Sequence, residues 1–99
     1  MYNWKDEDIS NLNKAEKKAF IRLAKLGICV KSSIEYNECG DNRGKFWIWT
    51  EGVTDETCEH VDYFDHEVLG GSDELNDILD EAGLWHEWCN PGYAHVWTL

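Results

Sequence analysis

Residues 72–99, SDELNDILDEAGLWHEWCNPGYAHVWTL, decide the fold. Leu75, Ile78, Leu79 and Ala82 fall at i, i+3, i+4 and i+7, one stripe of an amphipathic helix. Ser72 is a strong N-cap, Asp73 and Glu74 suit the positive end of the helix dipole, and Gly83 stands where a left-handed residue is wanted. Two short strands then flank an Asn90-Pro91-Gly92 turn. Opposite the apolar stripe stand Asp73, Asp77, Asp80 and Glu81, with no cation among them.

A similar unit lies earlier. Asn13 and Glu16 form an Asx version of a capping box, and a helix over 14–26 stops at Gly27. Ala15, Ala19, Phe20, Leu23, Ala24 and Leu26 give that helix its apolar face, and Lys14, Lys17, Lys18, Arg22 and Lys25 line the remainder. From Ile28 the period changes to two, with Ile28, Val30, Ile34 and Tyr36 on one side. A turn-rich loop over 38–44 leads to a second strand, Phe46-Trp-Ile-Trp-Thr50. The last strands of the two units align as GKFWIWT (44–50) and GYAHVWT (92–98), coinciding in character at four of seven positions.

An αββ-αββ duplication in one domain is therefore the reading of residues 1–99. It comprises a lead-in over 1–12, a helix-hairpin unit over 13–50, an acidic insertion over 51–71 and a second helix-hairpin unit over 72–99. The expected fold class is α+β, with two helices on one face of a four- to five-stranded antiparallel sheet. In outline this is a circular permutation of a ferredoxin-like arrangement, which says nothing about function. The fifth strand would be an edge strand over 60–64, with Val61 and Tyr63 on one side.

Charge is the loudest feature. Residues 1–45 hold all nine Lys and Arg against seven acids, a balance of +2, while residues 46–99 hold thirteen acids and no Lys or Arg, a balance of −13. The two make the net charge of −11. So negative a half repels phosphate, so direct nucleic-acid binding is not expected. No apolar run approaches the ~20 residues of a membrane span, and the N-terminus MYNWKDEDIS is no secretory signal. The chain reads as cytoplasmic. Its four cysteines, Cys29, Cys39, Cys58 and Cys89, form no Cys-x-x-Cys pair and are expected as free thiols.

Three sets of residues carry candidate function. Trp47, Trp49, Tyr93, His95 and Trp97 share the sheet face opposite Phe46, Ile48, Ala94 and Val96, where they either dock a partner or form a second small core under residues 51–71 and 1–9. The run Cys58-Glu-His60-Val-Asp62-Tyr-Phe-Asp65-His66-Glu67 offers Cys58, His60 and His66 as low-weight zinc candidates, but its spacing matches no metal motif. The expectation is no metal and no cofactor. There is no phosphate loop, nucleophile elbow or His-Glu-x-x-His, and the chain reads as a non-enzyme. The acidic set is Asp55, Glu56, Asp62, Asp65, Asp73, Asp77, Asp80 and Glu81, read either as a solubilising surface or as a contact surface.

The acidic helix Asp73–Glu81, the acidic run Asp55–Glu67 and the cation-free half resemble the small acidic phage-encoded inhibitors of bacterial defence, the anti-CRISPR and anti-restriction proteins that mimic nucleic acid. The resemblance spans roughly residues 51–87 and is compositional; no family motif matches, and the basic first helix departs from it. It implies a protein-binding inhibitor acting in the host cytoplasm, whose carboxylates occupy a basic nucleic-acid-binding surface of a target protein. The competing readings are an oligomeric module, for example a homodimer, built on the Trp-rich face, and a metal-stabilised binding domain.

Overall fold

Both long helices begin at side-chain caps and end at glycine. The computed structural model describes residues 4–33, 44–50 and 55–98, without the side chains of Asp55 and Glu56. After a short 3-10 turn at Trp4–Asp6, helix α1 covers Lys14–Lys25. Its capping box is complete: Glu16 N donates to Asn13 Oδ1 at 2.8 Å, and Asn13 N donates to Glu16 Oε1 at 2.9 Å. Helix α3, Asp73–Glu81, is capped by Ser72 Oγ, which accepts from Leu75 N at 3.2 Å. Gly27 and Gly83, at φ +95° and +70°, supply the left-handed exits that side chains disfavour.

The strands are β1 (Val30–Ser32), β2 (Phe46–Trp49), β3 (Leu84–Asn90) and β4 (Tyr93–Thr98). They form one four-stranded antiparallel sheet in the order β1-β2-β4-β3. The fold is α+β. The two aligned strands, β2 and β4, are central neighbours, pairing Phe46 with Val96, Trp47 with His95, Ile48 with Ala94 and Trp49 with Tyr93. Because side chains alternate along a strand, Phe46, Ile48, Ala94 and Val96 share one face. All four are buried in one core with Phe20 and Leu23 of α1 and Leu75, Ile78 and Leu79 of α3. Phe20 meets Phe46 edge-on at 5.2 Å. Each fully buried Val, Leu, Ile or Phe among them contributes about 1.5–3 kcal/mol.

The two long helices run antiparallel, since the start of α1 lies beside the end of α3. Ala15, Lys18, Ala19 and Arg22 line a shallow groove with Ile78, Glu81 and Ala82. Lys25 and Leu26 line the next one with Glu74 and Asp77.

Residues 60–64 do not form the expected edge strand. Helix α2 covers Asp55–His60, and turns follow from 63 to 70. What holds α2 is tertiary: Thr57 Oγ1 accepts from Cys29 N at 3.0 Å and donates to Gly27 O at 3.3 Å. Val61 is fully buried whereas Tyr63 is 43% exposed, so their period-two spacing carries no strand. The cysteines also differ from expectation: Cys29 and Cys58 keep their thiols, but Cys89 is disulfide-bonded. Spacing alone does not reveal such pairing. Cys39, Ile34, Tyr36 and the loop over 38–43 lie outside the described residues. No helix among the described residues is long and apolar enough to cross a membrane.

Along β3 burial alternates, with Leu84 buried, His86 and Trp88 half-buried, and Trp85 and Glu87 exposed. Burial pushes the His86 imidazole below its ordinary 6.5. The unfolded chain therefore binds that proton more readily, and stability rises with pH through this window. The protein should lose stability progressively below pH ~6.5, and His86→Gln should lose less over the same interval. Urea unfolding of both chains between pH ~7.5 and ~5.5 tests this, and equal slopes would contradict it.

Candidate functional site

Helix α3 turns two unlike faces outward and inward. Leu75, Ile78 and Leu79 are buried, so the helix geometry holds Asp73, Asp77 and Asp80 in solvent on the opposite side. Glu74 and Glu81 lie on the flank toward α1, and Asp77 borders the same groove. Glu81 is bonded to the Arg22 guanidinium, and among the described residues it is the one carboxylate of α3 in an ion pair. Both partners are well exposed, so the pair adds little stability, but it ties the two helices together.

The rest of the acidic set is arranged differently. Asp62 Oδ1 accepts from Phe64 N and Asp65 Oδ1 from Glu67 N, both at 3.0 Å. These carboxylates shape turns as well as carrying charge. The side chains of Asp55 and Glu56 lie outside the described residues.

The aromatic face is closed at its centre. Trp47 is 1% exposed and His95 3%, and their rings stack 3.7 Å apart, 7° from parallel. Nε2 of His95 is 3.1 Å from Ser33 Oγ. Gly44 lies directly over that imidazole: a Cβ there would stand 2.1 Å from Nε2, so a side chain would have to displace a buried, stacked ring. Among the described residues, Ser33 and Gly44 of the first unit lie against His95; residues 1–3 and 51–54, part of the roof that the sequence offers as one of two alternatives, lie outside the described residues. Trp49, Tyr93 and Trp97 form a half-buried rim. Tyr93 meets Trp49 and Trp47 edge-on at 5.3 and 5.9 Å, and Lys31 Nζ lies 5.5 Å over the Trp49 ring. Among the described residues the buried Trp97 Nε1 has no hydrogen-bond partner.

Cys58, His60 and His66 are not brought together. His60 Nδ1 is 2.8 Å from Ser72 Oγ and so braces the cap of α3, Cys58 Sγ lies 3.9 Å from Thr50 O, and His66 is exposed in a turn. Among the described residues no group of three or more His, Cys, Asp or Glu is placed to hold a metal. An open cleft of about 620 Å³ lies between the β3–β4 turn and α2, lined by Thr50, Cys58, Asp62, Phe64, Pro91 and Tyr93 among others. Its described walls carry a thiol and a carboxylate but no histidine to serve as a base.

Neither a family model, nor a curated protein, nor a solved structure matches this chain.

Proposed function

We propose that the protein is a small acidic binding protein that occupies a basic, nucleic-acid-binding surface of another protein, as phage counter-defence inhibitors do, and that it catalyses no reaction. The observation that carries this reading is the solvent ridge of α3. Asp73, Asp77 and Asp80 are exposed, and the core is served by the opposite stripe. A protein surface built for DNA must match about one phosphate charge per ~1.7 Å of axis, so it is strongly basic and accepts a carboxylate row readily. In this reading the chain binds no nucleic acid itself, needs no cofactor and works in the host cytoplasm.

The aromatic face supports a second reading, an interaction module, only through its rim of Trp49, Tyr93 and Trp97. We also read the chain as a duplicated αββ unit. The sheet order β1-β2-β4-β3, with β2 and β4 antiparallel at its centre, is what a two-fold relation between the halves produces.

Parallel affinity columns carrying the parent chain and an Asp77→Lys/Asp80→Lys variant, loaded with bacterial lysate, test the proposal. Expected is retention of basic nucleic-acid-binding proteins on the parent column alone, with release by added double-stranded DNA. Equal retention on both columns, or retention indifferent to DNA, overturns it.

A further inference from the structure

Helices α1 and α3 lie side by side and present ridges of opposite sign. The core takes Ala19, Phe20 and Leu23 of α1, which leaves Lys14, Lys18 and Lys25 exposed on the far side with half-buried Ile21 between them. On α3 the corresponding ridge is Asp73, Asp77 and Asp80. Between the ridges the groove is lined by Ala15, Ala19, Ile78 and Ala82 and is crossed by the Arg22–Glu81 ion pair, which a facing pair of helices would cover.

We infer that this two-helix face is self-complementary and pairs with a second copy of the chain, α1 of each copy lying over α3 of the other. The charge pattern selects the symmetry. A two-fold axis running along the groove places each lysine ridge over an aspartate ridge, whereas a two-fold axis across the helices would place lysine over lysine and aspartate over aspartate. Because α1 and α3 are antiparallel, the selected axis also sets every helix antiparallel to the one it faces, as in a four-helix bundle. The lysines near the start of α1 then meet Asp80, and Lys25 meets the start of α3.

The face is small. Helices of 12 and 9 residues are about 18 and 14 Å long, and two of them side by side offer less than the ~800 Å² per partner of a standard interface. The dimer is therefore weak and rapidly exchanging. The net charge of −11 opposes it at long range. At ~0.1 M salt, where the Debye length is ~10 Å, the local pattern dominates. The inference does not rest on the target-binding reading, because it needs only the two ridges.

Sedimentation equilibrium of the full chain at about 0.5 mM and ~0.1 M salt tests it. Two charge-reversed chains, Lys14→Glu/Lys18→Glu and Asp77→Lys/Asp80→Lys, are compared with the parent after circular dichroism has shown each to be folded. Each reversed chain alone should self-associate ~10-fold or more weakly than the parent. An equimolar mixture should recover association, because lysines again face acids. A chain carrying all four substitutions should self-associate like the parent, and it keeps the test open if either simple variant misfolds. Net charge alone predicts a different pattern, since the Asp→Lys chain is less acidic and would associate more strongly. A parent that stays monomeric, a dimer indifferent to both reversals, or a mixture that does not associate would each overturn the inference.

Discussion

Trp47→Ala should destabilise the protein by about 3–5 kcal/mol, the usual cost of emptying a large aromatic site in a core. The indole is 1% exposed, its ring lies flat against His95 at 3.7 Å, and Tyr93 closes one edge at 5.9 Å. Nothing nearby collapses easily into the space, because His95 is itself fixed between Trp47 and Gly44 and lies 3.1 Å from the Ser33 hydroxyl. Against a total stability of about 5–15 kcal/mol for an ordinary domain, such a loss is easily measured by urea unfolding. Trp85 is the control: it is 39% exposed and anchored by one hydrogen bond, Nε1 to Thr98 O at 3.2 Å, so Trp85→Ala should cost about 1 kcal/mol. A Trp47→Ala protein within 1 kcal/mol of the parent would show that the face is an open surface after all. The expected result sets the terms for any binding study, because loss of binding in Trp47→Ala would report on folding rather than on contact.

Features written within a few residues of one another were legible in the sequence. The Asn13–Glu16 and Ser72–Leu75 caps, the glycine exits and the alternation along 46–49 and 93–98 all obey local rules, and they appear where the residues place them. The Asn90 turn behaves likewise, its Oδ1 accepting from Gly92 N at 2.7 Å and Tyr93 N at 3.2 Å. Alternation also sorted Trp47 and His95 from Phe46 and Val96 correctly, but it cannot say what covers a face. Among the described residues the cover includes the meeting of His95 with Ser33, 62 residues away, and with Gly44. Helix α2 was missed for the same reason, since its six acidic and polar residues have no apolar period and their anchor is Thr57 reaching Cys29. Glu16 shows both cases at once. Its capping role is local and was read, whereas its near-complete burial and the Lys45 ammonium 3.7 Å away depend on a strand unit 29 residues on.

Lysine at Asp77 and Asp80 should weaken binding to a basic partner by ~100-fold or more, equivalent to about 2.8 kcal/mol. Each substitution replaces an attraction with a like charge facing the same groove, so two are enough. The fold should survive, because both positions are exposed and surface changes of this kind shift stability by about 0.5 kcal/mol. Glu81 is left in place because it holds Arg22 across to α1, and Asp73 because a cation in the first turn opposes the helix dipole. The parent's association rate should fall steeply as salt rises, as steering by a charged ridge requires. Three further chains separate the explanations. Lys14→Glu/Lys18→Glu keeps the acidic ridge and removes the self-pairing that would cover it, so it should bind the partner at least as well as the parent. Trp49→Ala and Trp97→Ala alter the rim of the aromatic face and leave α3 untouched, so they should bind normally once shown to fold. If the Asp→Lys chain keeps its affinity while folded rim variants lose theirs, the acidic ridge is a solvated face and recognition belongs to the aromatic rim. If the Lys→Glu chain alone loses affinity, the partner is acidic and reads α1, the opposite of the proposed polarity.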